Sequence, residues 1–414
     1  MIPTLRRFAL LPLAALLLVT LPACDSGGDE DDGGGATSDL IFLGVNYDRL
    51  FAEPTAAEVQ AVRDDWAGRT PTAEDAVVVS EQAVDGATLY VVTHTMDEGP
   101  GAPLTHYGVV RVPDGASEAP VLVVHHGGDD GFGVNDPGGN SGVTDQAALY
   151  PDLFAQTVQV FPTYRSEPLR LDGTALTCAG GAAGPCVSGG TTSPWDYDVD
   201  DAMALLSSAL QLFPDATDAD RVAALGYSRG ANTAVLHAIR DSRVDAVTEY
   251  YGPTDFYNPV VTSISNPTGL AAAALLGAPA ALGLPGVAYI RTEVLDPLRN
   301  EDGSYNPAAD YVTARLEVIR RSASVFTADI PDLQVHHHVA DPVVPYGFSQ
   351  AFNAAVSAQP NDGSYDFNEY SNALPAGVDS PHRPEAMPAS LADTEGFLLG
   401  VLGAPAARER VLSF

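Results

Sequence analysis

The sequence predicts an α/β architecture: a mostly parallel sheet of eight strands with helices on both faces. Three observations carry this. "PVLVVHH", residues 120–126, is a continuous apolar run, the mark of a strand buried on both faces. From there on strand-like and helix-like segments alternate, and crossover helices dictate parallel neighbours. Third, "RVAALGYSRGANTAVLHAI", residues 221–239, passes from strand to helix character within Gly226-Tyr227-Ser228-Arg229-Gly230.

Taken in order, the chain opens on a targeting segment over residues 1–23. Arg6 and Arg7 form a positive n-region, and "FALLPLAALLLVTLP" is an apolar h-region, short for a membrane span and broken by Pro12. It ends in Leu21-Pro22-Ala23-Cys24, which resembles a bacterial lipobox, in which the cysteine is lipidated after cleavage. Pro22 leaves ordinary signal cleavage open. The expected location is the bacterial cell envelope, lipid-anchored through Cys24 or secreted. Residues 24–39, "CDSGGDEDDGGGATSD", are too polar and glycine-rich to fold and read as a flexible tether. Random-coil scaling gives it a mean span of about 20 Å.

Residues 40–76 form an N-terminal extension with a helix over 54–67, ahead of a main domain at 77–414. "AVVVSEQ" reads as a preliminary edge strand, and the main sheet is counted from "TLYVVTHT". "HYGVVRVP" follows, joined by Gly, Asp and Pro turns, so this opening is antiparallel in character. After "PVLVVHH" come the strand "TVQVFPTY", a helix at 196–213 and the strand "RVAALGY". A helix at 229–241 and the strand "VDAVTEYYG" follow. Beyond 323 lie the strand "DLQVHHHV", a helix at 346–358, the strand "YDFNEYS" and a last helix at 391–402. Residues 258–323 interrupt the rhythm. Rich in Ala, Leu and Pro, then amphipathic, they read as a helical lid over the C-terminal edge of the sheet, with extra core packing as the alternative. Pro279 and Pro285 break the segment, and its apolar runs are too short for a membrane span.

Composition narrows the function. Acidic residues number 54 against 20 basic ones, a net charge of −34, and every basic residue is arginine. Such a surface repels nucleic acid and anionic lipid. The acids are spread along the chain, which favours a solubility device of a salt-adapted organism over recognition of a basic substrate. With Cys24 assigned to the anchor, Cys178 and Cys186 remain. In an oxidising compartment they pair as a disulfide, closing a loop worth roughly 2.5 kcal/mol on the chain-entropy model. No further Cys or His lies near them to complete a zinc site.

Gly226-Tyr227-Ser228-Arg229-Gly230 is a G-x-S-x-G turn between strand and helix, the setting of a nucleophilic serine. A serine hydroxyl needs a base, an orienting acid and an oxyanion hole. In this context the chain order is serine, acid, histidine. Five histidines follow Ser228. His237 lies inside the next helix and points away, and His336, His337 and His338 alternate faces of a strand, mostly in the core. A zinc pair at His336 and His338 lacks a nearby third ligand. His382, in a loop after the last strand, is therefore the base. Asp341, in a Pro-bounded turn after the penultimate strand, is the acid, with Asp255 as its rival. Gly128, at the end of "PVLVVHHGG", and the N–H of Arg229 are the candidate oxyanion pair.

"PVLVVHHGG", "FPTYRS", "DVDDAMALLSSAL…DADRVAALGYSRGA", "EYYGPTDF" and "DIPDLQVHHHVADPVVP…SQAF" resemble, in order, the catalytic domain of the prolyl-oligopeptidase family of α/β-hydrolases. Dienelactone-hydrolase-like esterases are close relatives. The resemblance covers roughly residues 85–402. It implies an α/β-hydrolase fold, no cofactor, and Ser228, Asp341 and His382 as nucleophile, acid and base. Arg165 matches the family's Tyr-Arg strand end, a structural position. The chain departs from the family pattern in carrying His337-His338 before the acid and Ser380-Pro381-His382-Arg383 around the base. Only residues 40–76 stand where the large peptidases carry a gating propeller. The function expected is therefore an exported serine hydrolase acting on small esters or short peptides, tilted toward esters. The alternative is a silent envelope protein that keeps the fold for binding.

Overall fold

The central sheet of the computed structural model holds nine strands. The structure describes residues 40–69, 71, 73–96, 104–128, 131–135, 142–257, 262, 288–359 and 363–403. The strands are β1 Glu74–Val84, β2 Ala87–Met96, β3 Leu104–Pro113, β4 Ala119–His125 and β5 Val158–Pro162. β6 Thr217–Tyr227, β7 Val244–Tyr250, β8 Asp332–His338 and β9 Tyr365–Tyr370 complete it. Their order is β9-β8-β7-β6-β4-β5-β3-β2-β1. The strand read as preliminary pairs with β2 along most of its length, so the sheet has nine strands rather than eight. Its alternating residues suit an edge that packs on one face only.

β1, β2 and β3 form an antiparallel meander that joins β5 antiparallel. The rest, from β5 to β9, is parallel. The parallel strands are the ones joined through helices, α4 Tyr197–Leu212, α5 Arg229–Arg240 and α7 Gly347–Ala358, and α8 Pro388–Gly403 follows the last strand. Two short helices, α2 Val143–Leu149 and α3 Pro151–Gln156, lie between β4 and β5 and carried no clear periodicity in sequence. Two large apolar clusters sandwich the sheet, one on each face. This nine-stranded, doubly covered sheet, with a sharp turn between β6 and α5, has the α/β-hydrolase fold.

The order contains a switch point. β4 has β5 on one side and β6 on the other, so the loops leaving the carboxyl ends of β4 and β6 diverge and open a crevice. Gly226 pairs with His125 at that edge, which sets the loop after β4 beside the turn after β6.

The N-terminal extension carries α1 Ala56–Ala67, closed by a Thr55–Glu58 capping box. It is anchored to the later insertion. From α6 Tyr311–Ile319, Arg315 pairs with Glu58 and donates to the carbonyls of Arg49, Leu50 and Ala52. In the described part of the insertion, Val294, Leu295, Leu298, Val318 and Ile319 are buried in the main core. Residues 258–261 and 263–287, where most of the lid expectation falls, lie outside the described residues, as do the signal peptide, Cys24 and the tether. Among the described residues no helix is long and apolar enough to cross a membrane.

Pro168–Arg170 and Cys186–Val187, between β5 and α4, form a three-stranded patch with Phe132–Gly133 from the stretch after β4. Cys178 and Cys186 form a disulfide there, with Cα atoms 5.4 Å apart and both residues buried.

Candidate active site

β6 ends at Tyr227 and α5 begins at Arg229, so the whole reversal falls on Ser228. Its φ is 53° and ψ −121°, a backbone state that costs a non-glycine residue about 1–3 kcal/mol. The surroundings enforce it. The Ser228 N–H donates to the Tyr250 carbonyl at 2.9 Å, and its carbonyl accepts from the N–H of Ala231 at 3.0 Å. A Cβ on Gly226 would run into the carbonyl of Gly230, and one on Gly230 into the carbonyls of His125 and His126. Both glycines are thus required by close approach. Ser228 itself remains partly exposed while its neighbours on both sides are buried.

The loop after β4 lies against this turn. A Cβ placed on Gly127 would sit 3.1 Å from the Ser228 Cβ. Gly128 has φ +75°, the left-handed region that favours glycine. The Gly128 N–H has no acceptor among the described residues. Arg229 is the first residue of α5, and the first N–H groups of a helix have no intrahelical partner. Two unengaged donors therefore flank the serine.

The acid and base expected from sequence are joined. His382 Nδ1 is 2.7 Å from Asp341 Oδ2. The other oxygen, Asp341 Oδ1, accepts the N–H groups of Val343 (2.8 Å) and Val344 (3.1 Å) in the turn that "ADPVVP" encodes. Burial works to raise the Asp341 carboxyl, but hydrogen bonds from His337 and His382 outweigh it and hold the group down at about 2. His382 rests on the Tyr251 ring, with centroids 4.2 Å apart. Tyr251 directly follows the residue whose carbonyl receives the Ser228 N–H. Asp255 stands elsewhere, buried, with Oδ1 accepting the N–H of Tyr257.

The other histidines are engaged as sequence alternation implied, with one addition. His336 has ring nitrogens 2.9 Å from the Tyr370 hydroxyl and 3.2 Å from that of Thr394. His338 engages the Asn372 carbonyl and the Ala340 N–H. Both rings of the zinc alternative thus have both nitrogens occupied. His337 is the addition: Nδ1 meets Ser349 Oγ at 2.6 Å, while Nε2 faces the Val344 carbonyl at 2.9 Å and Asp341 Oδ2 at 3.5 Å. It braces the acid from behind. Its signal in sequence was its place four residues before Asp341, which strand alternation alone does not read.

Sequence reasoning also missed a buried ionic network under the serine turn. Arg229 Nη2 donates to Asp198 at 2.7 Å, Nη1 reaches Glu167, and Nη1 also lies 3.4 Å from the Gly128 carbonyl. Trp195 Nε1 donates to the Arg229 carbonyl at 3.0 Å. One side chain thus ties the first turn of α5 to the loop after β4. Burial pushes the Asp198 carboxyl up to about 7 against the opposing charge of Arg229, with Glu167 and Asp201 adding to the rise. Arg165 closes onto Asp201 at 2.7 Å, the structural role its strand-end position implied.

No known protein-family description matches the chain, and no curated protein matches it. Solved structures similar to it include acetyl xylan esterase 1 from Thermoanaerobacterium sp., 18% identical, with a TM-score of 0.48 over 83% of this chain and 92% of that one. The rice cell wall degrading esterase LipA from Xanthomonas oryzae is 15% identical, with a TM-score of 0.48 over 80% and 98%. An acylaminoacyl peptidase from Pyrococcus horikoshii is 12% identical, with a TM-score of 0.46 over 81% and 50%.

Proposed function

We propose that this chain is a serine hydrolase that cleaves small esters, and short peptides less readily, through an acyl-enzyme on Ser228. The observation that carries the reading is the 2.7 Å Asp341–His382 pair, held beside the Tyr251 that follows the Ser228 anchor point. In this reading His382 Nδ1–H donates to Asp341, which leaves Nε2 with its lone pair free to accept the Ser228 proton. The serine oxygen attacks the substrate carbonyl, and the N–H groups of Gly128 and Arg229 hold the resulting oxyanion. The imidazolium returns its proton to the departing alcohol or amine. Water, activated by the same nitrogen, then frees the acid and regenerates the serine. None of these steps calls for a metal or cofactor.

Esters are placed ahead of peptides as the sequence implies; the described residues before β1 form a short hairpin, one helical turn and α1. The sequence departures at His337 and Ser380 set the chain apart within a prolyl-oligopeptidase-like reading, and His337 supports the acid rather than replacing it. The targeting segment, with Cys24 as membrane anchor, and the buried disulfide support an exported, envelope-associated enzyme, since disulfides persist in oxidising compartments. The strongly acidic surface supports small-molecule rather than nucleic-acid partners.

The test is a matched panel of short-chain aryl esters and aminoacyl or dipeptidyl anilides assayed against the full chain. Ester turnover well above anilide turnover is expected. Turnover of neither, by protein shown to be folded, would favour a silent binding protein that retains the fold.

A further inference from the structure

Six arginines among the described residues are more than nine-tenths buried. Five of them meet a carboxylate: Arg165 with Asp201, Arg229 with Asp198 and Glu167, Arg240 with Asp200, Arg315 with Glu58, and Arg321 with Glu317. Arg111, on β3, has none within salt-bridge distance. Its Nη1 donates to the Phe154 carbonyl and to Gln159 Oε1, each at 2.7 Å. Nε and Nη2 have no partner among the described residues, and neither is sealed from solvent.

In a chain with 54 acids, a buried guanidinium that meets no carboxylate among the described residues calls for an explanation. Arg111 lines a cleft of about 680 Å³ between the β1–β2 turn and helices α2 and α3. Leu89, Ala147 and Phe154 give that cleft apolar walls, and the exposed Asp85 and Asp114 stand among its lining residues. The cleft is remote from the serine turn. β3 runs antiparallel to β5, so its carboxyl end lies at the sheet edge opposite the one that carries Ser228.

We propose that this cleft is a second binding site, for an organic monocarboxylate with an apolar body whose carboxylate bonds Nε and Nη2 of Arg111. The guanidinium fork matches a carboxylate, and such charge-assisted pairs are the strong hydrogen bonds. The walls take the apolar body of the ligand. Asp85 and Asp114 repel a second negative charge, which disfavours phosphate dianions and dicarboxylates. Burial lowers the Arg111 pKa against the charge of Asp114, so a bound carboxylate adds compensation beyond what Asp114 supplies.

Titration calorimetry of the full chain with 4-phenylbutyrate, and with its neutral amide as control, tests this. The acid is expected to bind with a Kd on the order of 1 mM, the range for so small a ligand, and the amide at least tenfold more weakly. Arg111→Met should weaken the acid at least tenfold. Because that variant also loses the bonds to Phe154 and Gln159, Ala147→Phe serves as a second probe, filling the cleft while leaving Arg111 in place. It too should abolish binding. No saturable binding by the wild type, equal binding of acid and amide, or undiminished binding by Ala147→Phe would each overturn the proposal.

Discussion

Replacing Asp341 by asparagine separates orientation from charge. The shape is kept: an asparagine oxygen can still accept the N–H groups of Val343 and Val344, as Oδ1 does now at 2.8 and 3.1 Å. What changes is the group facing His382, since an amide N–H₂ replaces the acceptor 2.7 Å from Nδ1. The imidazole then carries its proton on Nε2, where it cannot accept one from Ser228. Turnover should fall by up to ~10⁴-fold, as in the worked protease case, with little change in KM.

Stability gives an independent reading of the same substitution. The Asp341 carboxyl lies at about 2 in the fold against an ordinary 3.8, which amounts to ~2 kcal/mol at neutral pH. Because the folded value is depressed, that contribution is present above about pH 4 and lost as the pH falls toward 2. Asp341→Asn should therefore lower the Tm by about 3 °C at neutral pH, with the gap to wild type closing in acid. Steady-state kinetics on an activated ester and thermal melts across pH provide both readouts. A variant within tenfold of wild-type kcat would refute the orienting role, whatever its stability.

Three further outcomes follow from the buried groups. Burial pushes Glu249 up to about 8 against a hydrogen bond from the Gly252 N–H, so its folded pKa lies above its unfolded one. Its stabilising share is full below about pH 4.5 and lost as the pH rises through 8, so Glu249→Gln should melt higher than wild type near pH 9 and equally near pH 4. A melt of the variant below wild type at the alkaline end would contradict this. Arg229→Met leaves the buried Asp198 and Glu167 without their cation, a loss of about 3–5 kcal/mol in urea unfolding above about pH 8. The loss should shrink as the pH falls below the raised Asp198 value of about 7, and a pH-independent loss would point to packing instead. Serine at Cys178 and Cys186 should remove about 2.5 kcal/mol, read as a lowered denaturant midpoint in oxidised protein, and an unchanged midpoint would contradict it.

The sheet was legible because its central strands are written as unbroken apolar runs and its helices as periodic ones. "PVLVVHH" became β4, and the run ending at Tyr227 became β6, with the turn where the glycines demanded it. β1 was seen but left out of the sheet, because alternation in "AVVVSEQ" shows a half-buried strand and not which neighbour it joins. Asp341 and His382 were legible from loop placement: both follow the carboxyl ends of neighbouring strands, β8 and β9. The network around Arg229 was not. Asp198, Asp200 and Asp201 look like the solvated first turn of a helix, yet all three are buried, since their partners Arg229, Arg240 and Arg165 arrive from other segments. Arg111 was hidden for the converse reason. A lone arginine in a strand reads as surface until the fold buries it with no acid among the described residues to meet it.

The proposed activity stands on Ser228 as an activated nucleophile. Its most direct measurement is labelling of the full chain with a fluorophosphonate, which bonds only a serine whose proton a neighbouring base removes. Peptide mass spectrometry then locates the adduct. A single adduct on Ser228 is expected, lost in Ser228→Ala and strongly slowed in His382→Ala. An adduct on another residue, or equal labelling of the Ser228→Ala variant, would contradict it.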